Sequence, residues 1–92
     1  MERKNEQLVA AFAKVLKDRR KAAGLSQEEL AFRADLSMSY ISLLETKNRQ
    51  PTLTVMEVLA RELGLSLSEL VGDVEAENMR QDRASNSIGM KS

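Results

Sequence analysis

At two places where an apolar periodic run begins, a serine is followed three residues later by a glutamate: Ser26-Gln27-Glu28-Glu29 and Ser66-Leu67-Ser68-Glu69. This spacing is a capping box: the hydroxyl accepts from the third helical amide while the carboxylate reaches back to the serine amide. Helices therefore begin at Gln27 and just after Ser66, each with a flanking pair (Leu25 and Leu30, Leu65 and Leu70) placed as a hydrophobic staple. Ser37 is a third cap, stapled by Leu36 and Ile41, and Thr52 a fourth. Stops stand before each start: Gly24 and Gly64 suit a left-handed terminator, Asp35 ends the second helix, and Pro51 breaks the pattern before the fourth. Punctuation this dense allows only short helices with close connections. The pattern predicts an all-α, compact five-helix domain over residues 6–72. Its first helix runs from about Glu6 to Ala23 with Leu8, Phe12, Val15 and Leu16 at helical spacing. Its fourth carries Val55, Leu59 and Leu63, and its fifth lasts one or two turns and ends near Gly72. Residues 73–92 form a short C-terminal extension. Asp73 to Arg83 suit a helical continuation, and a mobile, partly disordered tail is expected from about Ala84.

The second and third helices are joined by only Asp35 and Leu36, so they must cross steeply, with Ala31 and Ala34 letting them approach. The motif spans about residues 27–46. Winding "SMSYISLLET" at about 100° per residue puts Tyr40, Ile41 and Leu44 on one arc and Met38, Ser39, Ser42, Leu43 and Thr46 on the other. The first arc is core. The second lacks the charges and long amides of a solvated face, which suits it to a partner such as a DNA major groove.

Composition narrows the chemistry. At 92 residues, without Cys or His, the chain has no thiol nucleophile, disulfide, common zinc site or imidazole acid–base pair, so a binding module is expected rather than an enzyme, with no cofactor or metal. Short apolar runs and a polar, charged beginning argue against a membrane span and a signal peptide, making the cytoplasm the expected compartment. Net charge is +0, but its distribution is uneven. From Phe12 to Arg49 the bases Lys14, Lys17, Arg19, Arg20, Lys21, Arg33, Lys47 and Arg49 outweigh Asp18, Glu28, Glu29, Asp35 and Glu45. From Gln50 to Asn78 only Arg61 stands against Glu57, Glu62, Glu69, Asp73, Glu75 and Glu77. A basic half beside an acidic half fits a nucleic-acid surface better than the net charge suggests.

Four stretches, "RRKAAGLSQEELA" (Arg19–Ala31), "LSMSYISLLE" (Leu36–Glu45), "NRQPT" (Asn48–Thr52) and "LARELGLSLSEL" (Leu59–Leu70), together resemble the Cro/C1-type, or XRE, helix-turn-helix family of bacterial and phage regulators. The resemblance implies a lambda-repressor-like fold and sequence-specific binding to double-stranded DNA. It assigns base reading to Met38, Ser39, Ser42 and Leu43, and to Gln27 a contact with the DNA backbone or a neighbouring base edge. Ser37, the Tyr40 hydroxyl and the amides at the start of the third helix suit phosphate oxygens, although the Tyr40 ring also has a purely structural place on the buried arc. Lys17, Lys21, Lys47, Asn48 and Arg49 are the implied phosphate clamps, a solvated charge run being the other reading of the lysines. Arg20 and Glu45 match paired positions that tie the first helix to the end of the reading helix. Two departures stand out: Asp35 occupies a turn position where many members have Gly, and Thr46 stands where Gly often ends the helix. Phe32 winds away from the core.

One such head reads only a few base pairs, so a homodimer on a palindromic operator is expected. Its interface is expected to use Leu65, Leu67, Leu70 and Val71 in the acidic half. The reading arc carries no Arg or Gln, so modest direct readout is expected, with shape supplying part of the specificity. A transcriptional regulator, with RNA polymerase as a further partner and a restriction-modification controller as one subclass, is the leading function. The alternative is a protein-interaction module such as an antitoxin or anti-regulator, supported by Phe32, Leu43 and the neutral net charge.

Overall fold

In the computed structural model, which describes the backbone of residues 5–89 and the side chains of residues 5–84, the chain forms five helices and no strand among the described residues. They are α1 (Glu6–Ala22), α2 (Gln27–Ala34), α3 (Met38–Glu45), α4 (Leu53–Glu62) and α5 (Leu67–Gly89). Every start read from the sequence is capped as expected. Ser26 Oγ accepts from Glu29 N at 3.0 Å while Glu29 returns a carboxylate to Ser26 N at 2.8 Å. Ser66 and Glu69 repeat this at 3.1 and 2.8 Å. Ser37 and Thr52 cap α3 and α4, and Asn5 caps α1.

The stops share one geometry. Gly24, Asp35, Lys47 and Gly64 all adopt left-handed φ, of 73°, 58°, 69° and 77°. The residue after each donates its amide to a carbonyl five back: Leu25 to Arg20, Leu36 to Ala31, Asn48 to Leu43 and Leu65 to Ala60, at 2.8–3.1 Å. This is the Schellman closure, which satisfies carbonyls that the last turn would otherwise orphan. In three cases the donor is a leucine directly preceding the next serine cap, so one side chain closes a helix, packs on the core and leads into the next start. Asp35 therefore does what Gly does in related turns. At the end of α3 the left-handed residue is Lys47 and not Thr46, which carries an ordinary negative φ of −103°.

One core unites the helices. α1 packs on α5 and α3, α2 on α3 and α4, and α4 on α5. Leu16, Leu30, Ile41, Leu44, Leu59 and Leu70 are fully buried at its centre, with Phe12, Val15, Ala31, Ala34, Ala60 and Val74 around them. Leu8, expected to share the core stripe of α1, stays 41% exposed at the helix's beginning. Truncating any one of the central leucines removes about 2–5 kcal/mol, so the position of α3 is set by a large share of the total stability.

The fifth helix does not end near Gly72. It runs unbroken to Gly89, because Leu67, Leu70, Val71 and Val74 continue the 3–4 spacing across the glycine and Val74 is itself buried. Arg19 and Asp73 (2.6 Å) and Gln7 and Asn78 (3.0 Å) pin this continuation across α1. The tail expected from Ala84 is helical as far as Gly89, and its last residues, 90–92, lie outside the described residues.

Candidate nucleic-acid interface

α2 and α3, joined by Asp35 and Leu36, pack against each other, with Ile41 and Leu44 wholly buried under α3 and Tyr40 half-buried against the core. The opposite arc is open at its front and partly closed behind. Met38 is 52% exposed and Ser39 is exposed, whereas Ser42 and Leu43 are half-buried one turn later. No acid occupies the first turn of α3, so the positive end of the helix dipole is unopposed there. Ser37 spends its acceptor on the Tyr40 amide, leaving the Met38 and Ser39 amides as the ones helix geometry frees.

Beyond α3, the Thr46 hydroxyl turns back to donate to the Ser42 carbonyl at 2.8 Å, and Asn48 Nδ2 donates to Thr46 Oγ1 at 2.9 Å. Asn48, read as a clamp, is thus engaged in closing the helix. Lys47 borders a shallow depression with Glu6, Gln7, Val9 and Ala10 at the start of α1. Arg49 is exposed, as are Lys17 and Lys21 on α1.

Beneath this surface lies a buried ion pair. Glu45 Oε2 accepts from Arg20 Nε at 2.7 Å and Oε1 from Arg20 Nη2 at 3.0 Å, with the side chains 2% and 9% exposed. The hydrogen bond to Glu45 raises the Arg20 pKa above its ordinary value, so the cation is permanent. Arg20 Nη1 also donates to the Leu25 carbonyl at 2.8 Å. Gln27 Nε2 donates to Glu45 Oε1 at 3.0 Å, a contact that sequence reading did not foresee because it joins the start of α2 to the end of α3.

Ion pairing sorts the basic half into two sets. Lys14, Arg19 and Arg20 are bonded to Asp18, Asp73 and Glu45. Among the described residues, Lys17, Lys21, Arg33, Lys47 and Arg49 have no carboxylate partner, and four of these five are the bases read as phosphate clamps.

Of the residues read as a dimer face, Leu70 is corrected: it is 0% exposed inside the monomer, because its side of α5 faces α1 and α4. Leu65 and Leu67 are half-buried and Val71 is 42% exposed. Val71 also lines an apolar groove of about 600 Å³ with Leu8, Phe12, Pro51, Met56 and Val74. Among the described residues no helix is long and apolar enough to cross a membrane, and no cluster of acidic side chains is arranged to hold a metal.

The profile of the family described as Helix-turn-helix matches residues 16–70. Control protein C.MunI from a Mycoplasma species is 39% identical over 64 residues, covering 70% of this chain and 86% of that protein. The clp gene regulator ClgR from Corynebacterium glutamicum shares the fold with a TM-score of 0.83 at 20% identity, over 90% of this chain and 88% of that one. The restriction-modification controller protein C.Esp1396I, solved as a tetramer with its natural 35 base-pair operator, superposes with a TM-score of 0.72 at 28% identity, over 78% of this chain and 95% of that one.

Proposed function

The chain belongs to the Cro/C1-type helix-turn-helix family of DNA-binding transcriptional regulators, and we propose that it acts as a homodimer on a palindromic operator, of the restriction-modification controller kind. The observation that carries this reading is the sorting of its bases. Lys14, Arg19 and Arg20 are neutralised by carboxylates, while Lys17, Lys21, Arg33, Lys47 and Arg49 keep their charge, and four of these five are the bases expected to clamp phosphates. Met38 and Ser39 meet base edges first, Ser42 and Leu43 more shallowly, and Gln27, Ser37, Tyr40 and Asn48 border the backbone. Serine serves several bases and Met38 touches thymine methyls, so base readout is permissive and DNA shape adds to specificity.

Dimerisation rests on Leu65, Leu67 and Val71 together with the apolar groove beside Val71, a surface with Glu75 as its one charged lining residue. It would set two α3 helices about 34 Å apart. The side chain of Phe32, 86% exposed on α2, supports a separate protein contact. Selection of bound duplexes from a random library, with sedimentation of the free chain, tests the reading. Paired inverted half-sites and a dimer are expected; unrelated sequences bound by a monomer would sink it.

A further inference from the structure

Glu45 sits where three helices meet, and its carboxylate is almost wholly enclosed. Arg20 grips both oxygens in a planar fork and is itself held by the Leu25 carbonyl, so the carboxylate cannot turn. An ionised carboxylate only accepts hydrogen bonds. It therefore decides which end of the Gln27 carboxamide faces it: nitrogen, at 3.0 Å, since a flipped amide would oppose two acceptors. The carbonyl oxygen and the second N–H of Gln27 are left for other partners.

We propose that Glu45 is a positioning residue for DNA recognition, acting through Gln27. Arg20 fixes Glu45, Glu45 fixes the plane and the flip of the Gln27 amide, and the first residue of α2 meets DNA with its rotamer already chosen. Freedom that a half-exposed glutamine would lose on binding is lost on folding instead. The charge of Glu45, unfavourable near phosphates, is cancelled by Arg20 beneath and covered by Gln27. This inference rests on the DNA-binding reading given above.

The test uses the full chain and the duplex that the unmodified chain selects from a random library. Affinities are measured for the unmodified chain, Gln27→Ala, Glu45→Gln and the double variant, at a temperature where melting curves show all four folded. Glu45→Gln is expected to weaken binding about fivefold when Gln27 is present and less than about twofold when it is absent. Equal losses in both backgrounds would mean that Glu45 is architecture alone and would overturn the proposal. Should Glu45→Gln not fold, side-chain amide relaxation of Gln27 in the unmodified free chain decides: a rigid amide is expected, and a mobile one overturns it. Failure to select any duplex would overturn the DNA-binding reading itself, whereas a selected duplex with additive losses overturns only the positioning role.

Discussion

Replacing Arg20 by Ala should be among the most damaging single changes outside the apolar core. The substitution removes three hydrogen bonds, two to Glu45 and one to the Leu25 carbonyl, and leaves Glu45, whose side chain is 2% exposed in the intact pair, with Gln27 as its remaining partner. Breaking one side of a buried pair costs about 3–5 kcal/mol, because the surviving charge keeps its desolvation penalty without its counter-ion. A domain of this size has roughly 5–14 kcal/mol in total, so Arg20→Ala should lower the melting temperature by more than about 12 °C. The pair as a whole contributes far less. Arg20→Met with Glu45→Met removes both charges and refills the space, and should recover more than half of the loss, leaving only the Leu25 carbonyl and the Gln27 amide without partners. Urea denaturation of the two single variants and the double variant, at one protein concentration because dimerisation would add to stability, gives the coupling energy directly. Single losses below about 1 kcal/mol, or coupling near zero, would show that the pair behaves like a surface ion pair and refute the reasoning.

Three further outcomes are expected. Leu70→Ala should destabilise the monomer by about 2–5 kcal/mol, whereas Val71→Ala should leave folding nearly unchanged and weaken self-association, as concentration-dependent sedimentation would detect. Lys47→Gly should stabilise the fold by about 0.5–1 kcal/mol by relieving a left-handed lysine, yet weaken DNA binding and reduce its salt dependence by about one phosphate contact; a destabilised variant would contradict the closure described for α3. The Ser26 and Ser66 backbone amides hold the Glu29 and Glu69 carboxyls below their ordinary range. Because the folded values are depressed, the stability these caps add is present above the unfolded value of about 4.3 and is lost as pH falls through the folded values. Glu29→Gln with Glu69→Gln should keep the capping geometry and flatten the fall in melting temperature between about pH 5 and about pH 3. An unchanged acid limb would count against the caps as its cause.

Local chemistry explains how much of the fold was legible. Caps at Ser26, Ser37, Thr52 and Ser66 involve residues three apart, so the sequence neighbourhood contains the whole interaction. The buried arc of α3 follows from the same periodicity. Gly72 misled because a glycine ends a helix only when left-handed backbone and a following apolar anchor complete the closure; here Asp73 follows and Val74 keeps the helical spacing. The continuing Leu67, Leu70, Val71, Val74 series was the available signal. Leu70 was misassigned because spacing tells which residues share a face but not whether that face meets the same chain or another.

The sequence alone therefore determined where helices start and stop, which arc of α3 is buried, and that two short helices must cross; these depend on interactions within a few residues. Only the tertiary structure decided which bases are neutralised, which leucine belongs to the monomer, and how Gln27 is held. Arg19 reaches Asp73 and Glu45 reaches Gln27 across helix boundaries, whereas the Arg20–Glu45 pair was implied by the resemblance and only its burial came from the packing. Such partners are chosen by how whole helices pack, and a pair of charges becomes strong or weak according to the burial that packing creates.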